Sequence, residues 1–236
     1  MTQVTVTDGS FDAPLWLPKS GSGPGLVLIQ EIFGLDDYLK SVAADLAALG
    51  YVVAVPELFW RIAPGWSATH DEAGVSASME VSGRLDPARA VTDVLATLAT
   101  LRALPETDGR GGVFGFCLGG SIAYAAAAEG DPDVAVSYYG SRVPEQLPLL
   151  DKITCPIQFQ FGGADPYIPV EGVRKLADAV ASHDGAEIHI HEGAGHAFHN
   201  HVAPMFHQPE PAAAAWALTL EFLGRVFPAR VGDGGS

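Results

Sequence analysis

The chain is poor in cysteine, in positive charge and in long uninterrupted apolar runs, and each shortage argues against a class of protein. Two cysteines among 236 residues, Cys117 and Cys155, cannot staple a small secreted scaffold, and they fit a reducing cytoplasm. Lys and Arg number 13 against 28 Asp and Glu, for a formal charge of −15. Nucleic acid is therefore not an expected partner, because backbone phosphates must be met by cations. An anionic membrane surface would repel the chain for the same reason. The N-terminus, MTQVTVTDGSFDAPLWLP, has neither a basic n-region nor a long apolar stretch, so a signal peptide is not expected. The charge-free segment 111–128 holds five glycines and a serine. It reads as strand, sharp turn and helix rather than as a bilayer span.

Hydrophobic residues make up 48% of the chain and charged residues 17%, enough for a sizeable core. The length suits one domain over residues 1–230, followed by a Gly-rich tail at 231–236 expected to fray. Val4–Val6 and Ala13–Leu17 flank the turn pair Asp8-Gly9 and predict an N-terminal hairpin. Short apolar runs at Leu26–Gln30, Tyr51–Val55, Val113–Phe116, Val134–Tyr139, Ile157–Phe161 and Glu187–His191 predict strands. Helices are predicted at Tyr38–Leu49, Arg89–Arg102, Leu118–Ala128, Val170–His183 and Ala212–Phe227. This alternation predicts an α/β fold, a mostly parallel central sheet with helices on both faces. Sites in such sheets gather at the carboxyl ends of strands, here just after Gln30, Val55, Phe116, Phe161 and His191. Residues 57–87, with Trp60, Pro64-Gly65 and Trp66, show no clear period. They read either as a surface connection with buried tryptophans or as a wall over a site.

The most informative motif is Gly115-Phe116-Cys117-Leu118-Gly119, a G-x-S-x-G elbow with cysteine in place of serine. It stands between a predicted strand and an alanine-rich helix, where such an elbow belongs. The turn lifts the nucleophile above the sheet edge and aims the Leu118 amide, at a helix N-terminus, toward any oxyanion formed there. A nucleophile needs a base, and the base an orienting group. Asp165 follows the strand ending at Phe161, and His196 lies on the Gly-rich loop after the last strand. Nucleophile, acid and histidine thus come in the order the elbow motif requires. Glu31 also follows a strand directly. Beside a thiol it would disfavour the thiolate or accept the thiol proton.

With QEIFG at 30–34, PELFWRIAPG at 56–65, GFCLGG at 115–120, SYYG at 137–140, GGADPYIP at 162–169 and GAGHAF at 193–198, the chain resembles the dienelactone hydrolase family of α/β hydrolases. The resemblance runs from about Leu26 to the final helix. It implies an α/β-hydrolase fold and a cysteine-nucleophile hydrolase that opens an activated ester or lactone through a thioacyl intermediate. It implies Cys117 as nucleophile, His196 as base, Asp165 as its orienting acid, and Glu31 as a glutamate hydrogen-bonded to the resting thiol. It further implies the amides of Ile32 and Leu118 as the oxyanion hole, and Tyr138 as an aromatic lining residue. Phe33, Trp60, Trp66, Arg61 and Phe198 complete the expected substrate pocket. The sequence departs from the family where it binds a substrate carboxylate. Ser76 and Asn200 stand at the two arginine positions, which leaves the natural substrate open, with Arg61 or Arg84 as substitutes.

No cofactor and no metal are expected, and a monomer acting on a small-molecule ester or lactone in the cytoplasm is the default. Two rival readings remain. One is a non-catalytic small-molecule-binding protein on a hydrolase scaffold. The other is a metal protein built on His196, His199, His201 and His207, whose spacing fits no standard zinc signature. Cys155, ahead of Pro156, reads as a packed structural residue.

Overall fold

The structure is a computed structural model and describes residues 1–229; the predicted tail at 231–236 lies outside the described residues. The N-terminal hairpin pairs β1 (Thr2–Val6) with β2 (Gly9–Ala13) around Asp8. The second arm is therefore 9–13, not the predicted 13–17. Leu15–Trp16 instead forms a separate short strand, β3, antiparallel to β5 (Val52–Ala54). Pro14 separates the two roles, since its missing N–H interrupts the pairing.

The main sheet has seven strands in the order β3-β5-β4-β6-β7-β8-β9. The remaining strands are β4 (Gly23–Ile29), β6 (Thr107–Phe116), β7 (Ala135–Tyr138), β8 (Ile157–Gly162) and β9 (Ala186–His191). Every pairing among β4 to β9 is parallel. The helices are α1 (Asp37–Ala48), α2 (Glu72–Ser82), α3 (Pro87–Arg102), α4 (Leu118–Glu129), α5 (Val170–Val180) and α6 (Pro209–Val226). Successive residues of β7 show that both faces of the sheet are covered. Ser137 donates its hydroxyl to Gly120 O on α4, while the Tyr138 hydroxyl meets Thr219 on α6. Strands buried on both sides are largely apolar, and all of β4 and β7 is buried, with the Ser137 hydroxyl satisfied by its bond to Gly120 O.

The 57–87 stretch contains a helix the sequence pattern did not predict. Asp71 caps α2 by accepting from the Gly74 amide at 2.8 Å. Ahead of α2, the chain docks on the loop that leaves β4. Ala68 N donates to Phe33 O at 3.1 Å, and Leu58 N donates to the Gln30 side chain at 3.3 Å. Gly34 has φ 79°, and a side chain there would strike the Trp66 carbonyl, so this crossing requires glycine.

After β4 the connection runs to β5 on one side, and the chain then returns through β6 on the other. The carboxyl ends of β4 and β6 therefore lie side by side where the strand order reverses, the place where α/β sheets form their crevices. Among the described residues no helix is long and apolar enough to cross a membrane.

Candidate active site

Cys117 closes β6 and opens α4 with φ 52° and ψ −113°, a conformation that an L-residue holds only under strain. Its amide donates to Tyr138 O at 3.0 Å. The turn is close enough that a side chain on Gly115 would collide with the Gly119 carbonyl, and one on Gly119 with the carbonyls of Ile29 and Gln30. These glycines press the elbow against the end of β4. Cys117 occupies the N-cap position but caps nothing, so its sulfur is left for other partners.

That partner is His196, whose Nε2 lies 3.1 Å from Cys117 Sγ. His196 Nδ1 lies 2.7 Å from Asp165 Oδ2. The other Asp165 oxygen accepts from the Tyr167 amide at 2.8 Å, and the Asp165 side chain is fully buried. Three residues from the ends of β6, β8 and β9 thus form one hydrogen-bonded line, as the sequence order predicts. Burial works against a charged His196. The Cys117 sulfur and the Asp165 carboxylate outweigh it and hold the imidazole proton well above its ordinary range.

Glu31 lies at the end of β4 and is 2% exposed. Its Oε2 accepts from Asn200 Nδ2 at 2.7 Å, and its Oε1 is buried without a hydrogen-bond partner. The carboxyl is therefore engaged with Asn200, not with the thiol as the resemblance implied. Burial, reinforced by the Asp36 carboxylate, raises its pKa to about 7, against the pull of Asn200, His196 and His70. Asn200, at one of the two departures from the family pattern, is thus turned inward as the support of Glu31. Ser76 lies exposed on α2.

The expected pocket residues divide. Phe33 is buried and its ring packs 4.2 Å from that of His70. Trp66 lies over Gly34, beside the loop that follows β4. Tyr138, by contrast, points away from the site to Thr219, because side chains alternate along a strand. Its neighbour Tyr139, with φ 37°, instead places its ring 5.3 Å from His196. Phe198 is fully buried against Tyr139 and His191. Trp60 and Arg61 are occupied elsewhere. Trp60 Nε1 donates to Asp93 Oδ2 at 3.0 Å, and Arg61 reaches Asp93 at 2.6 Å and Asp8 at 2.7 Å. Arg84 Nη2 donates to the Ile62 carbonyl. Sequence reasoning missed Tyr167, which is 63% exposed and sets its ring edge-on to His196 at 5.2 Å. Its position two residues after Asp165, where the amide closes an Asx turn, was the available signal.

For the oxyanion hole, Leu118 is the first residue of α4, where an amide has no carbonyl within its own helix. Ile32 follows Glu31 directly, in the turn just after the Ile29 and Gln30 carbonyls that the elbow presses against. The histidines at 199, 201 and 207 line one pocket beside Trp216, but each is engaged by another partner. His199 bonds Tyr38, His201 bonds Ser41, His207 bonds the Phe198 carbonyl, and burial drops the His199 pKa to about 3. Among the described residues no group of three or more His, Cys, Asp or Glu could hold a metal ion. Cys155 is buried, and burial pushes its thiol up to about 11, as suits a packed residue.

Comparison with known proteins gives a consistent result. A family model for the dienelactone hydrolase family matches residues 11–227. A carboxymethylenebutenolidase of Pseudomonas sp. is 34% identical over 221 residues, covering 93% of this chain and 92% of its own. One from Rhodococcus opacus is 35% identical over 218 residues, covering 87% and 82%. Among solved structures, a dienelactone hydrolase-like promiscuous phosphotriesterase from metagenomic libraries superposes with a TM-score of 0.77 at 24% identity. That match covers 95% of this chain and 97% of the other, and it speaks for the fold alone.

Proposed function

Because the chain belongs to the dienelactone hydrolase family, we propose that it hydrolyses a small activated ester or lactone at Cys117. The observation that carries this reading is the line Cys117–His196–Asp165, with contacts of 3.1 and 2.7 Å at a strained elbow. The thiolate of Cys117 attacks the carbonyl carbon, and the oxyanion is received by the amides of Leu118 and Ile32. Collapse of the intermediate expels the enolate or phenolate oxygen, which takes the proton carried by His196, and leaves a thioester on Cys117. His196, now neutral and oriented by Asp165, takes a proton from water, whose oxygen attacks the thioester, so that the acid is released and the Cys117 thiolate and protonated His196 are restored. A thiolate of this kind favours substrates with a good leaving group, so amides and plain alkyl esters should react poorly.

The residues support the chemistry more than they support one substrate. A free carboxylate finds no arginine at Ser76 or Asn200, and Arg61 is committed to Asp8 and Asp93. The test is a stopped-flow comparison of wild type and Cys117→Ala on an activated aryl ester and on a dienelactone. Cysteine-dependent turnover is expected on the aryl ester, with a loss on the order of a thousandfold or more in Cys117→Ala. Turnover of the dienelactone as well would place the substrate among carboxylate-bearing lactones despite Ser76 and Asn200. Tight binding without turnover of either compound would overturn the reading in favour of a binding protein.

A further inference from the structure

One polar cluster beside the site has no part in the chemistry above. His70, from the segment that crosses the loop after β4, places Nε2 2.9 Å from Asp36 Oδ2 and 3.3 Å from Asn200 Nδ2. The His70 side chain is 7% exposed and that of Asp36 5%, and Asn200 is fully buried. Asp36 is already fixed, since its Oδ1 accepts from the Leu39 amide at 2.7 Å as the N-cap of α1. Asn200 is fixed too, because its Oδ1 accepts from Val202 N at 3.1 Å. Its amide nitrogen must therefore face Glu31 and His70.

These contacts compete for one proton. Nε2 can donate to Asp36 only if it carries a hydrogen, and can accept from Asn200 only if it does not. With the hydrogen on His70, Asp36 stands as a bare carboxylate close to Glu31. Without it, Nε2 can satisfy the second Asn200 N–H but leaves Asp36 without its donor, so His70 is the group that offsets Asp36.

We propose that His70 is a positioning residue for the hydrolysis, acting between Asp36 and Asn200 to set the charge and the hydrogen bond that the Glu31 carboxyl meets beside the nucleophile. The proposal rests on the reading of Cys117 and His196 as the reactive pair. It makes the docking of the 57–71 segment part of the chemistry, since that segment carries His70. The groups facing Glu31 are Asp36 and Tyr38 at the start of α1, His70 from the crossing segment, Tyr139 after β7, and His196 and Asn200 after β9. Of these, Asp36 favours the neutral carboxyl, whereas Asn200, His196 and His70 favour the ionised one.

The experiment follows, against pH, the rate of iodoacetamide alkylation of Cys117, read by mass spectrometry on its peptide, and kcat on an activated aryl ester. Wild type should show an inflection near pH 7 that Glu31→Gln removes. In His70→Ala the unopposed Asp36 moves that inflection up by on the order of half a pH unit or more, and in Asp36→Asn the lost charge moves it down by a similar amount. His70→Gln, which supplies both a donor and an acceptor, should lie near wild type. Opposite displacements distinguish this role from a structural one, because loss of folded protein lowers the amplitude and leaves the position unchanged. If His70→Ala fails to fold, Asp36→Asn decides, since asparagine caps a helix as well as aspartate. An inflection that stays put in both variants, moves the same way in both, or is absent from wild type would overturn the proposal. Turnover surviving in Cys117→Ala would sink the reading of the site itself, and the role of His70 with it. Cysteine-dependent turnover with unmoved inflections would sink only the role of His70.

Discussion

Burying Glu31 leaves its carboxyl about half protonated at neutral pH, and this has a thermodynamic signature. Its folded-state pKa of about 7 lies well above the ordinary glutamate value of 4.5. The folded state therefore binds the proton more tightly than the unfolded state. The stabilisation that follows is complete below the unfolded value and is lost as pH rises through the folded one. The window runs from about pH 4.5 to above 7, and the amount at stake is on the order of 3 kcal/mol. Glu31→Gln, neutral at every pH, should match wild type near pH 4.5 and exceed it by about that amount above pH 8, as urea denaturation at the two pH values would measure. Asp165→Asn presents the wrong hydrogen-bonding group to His196 Nδ1, and kcat should fall roughly ten-thousandfold with the fold intact. The sequence revealed Cys117, Asp165 and His196 because a nucleophile elbow and two strand ends are local patterns. It could not reveal that Asn200 turns inward to hold Glu31, which depends on where a loop 169 residues away comes to rest. Nor could it choose between Tyr138 and Tyr139, since a shift of one residue in where a strand ends reverses which side chain faces the site.

The hairpin, the 57–71 segment and α3 are joined at one buried carboxylate. The Asp93 side chain is fully buried and is met by Arg61 at 2.6 Å and by Trp60 Nε1 at 3.0 Å, while Arg61 also grips Asp8 in the hairpin turn. Arg61→Ala would leave Asp93 without its cation, at a cost of about 3 to 5 kcal/mol. The Cys117–His196 geometry is built from other elements, so kcat per folded molecule should hold. Thermal unfolding together with active-site titration would check both. A matching fall in kcat would return Arg61 to the substrate pocket, where the sequence alone had placed it. At this scale the alternation of strands and helices was legible because buried strands read as apolar runs. The helix α2 was not legible: EAGVSASMEVS carries no apolar stripe, and the helix is marked chiefly by the Asp71 cap. The second hairpin arm was misplaced because the apolar residues on both sides of Pro14 look alike in sequence while serving two different sheets.

Across the whole molecule, the reversal of strand order between β4 and β6 brings the ends of four strands around one cysteine, and the acidic surface leaves the fold unchanged. The margins of the seven-stranded sheet carry a different consequence. On one side β3 is two residues long; on the other β9 alternates Glu187, His189 and His191 with its apolar positions, and Arg225 pairs with Glu187. Open backbone at a sheet margin can recruit a second chain, and shortness and charge are what prevent it. Replacing Glu187 and His189 by valine should leave the active centre untouched, yet make light scattering climb with protein concentration, while the parent stays clear. The polar residues of that last strand would then be what lets an enzyme with so much apolar sheet remain dispersed in a crowded solution.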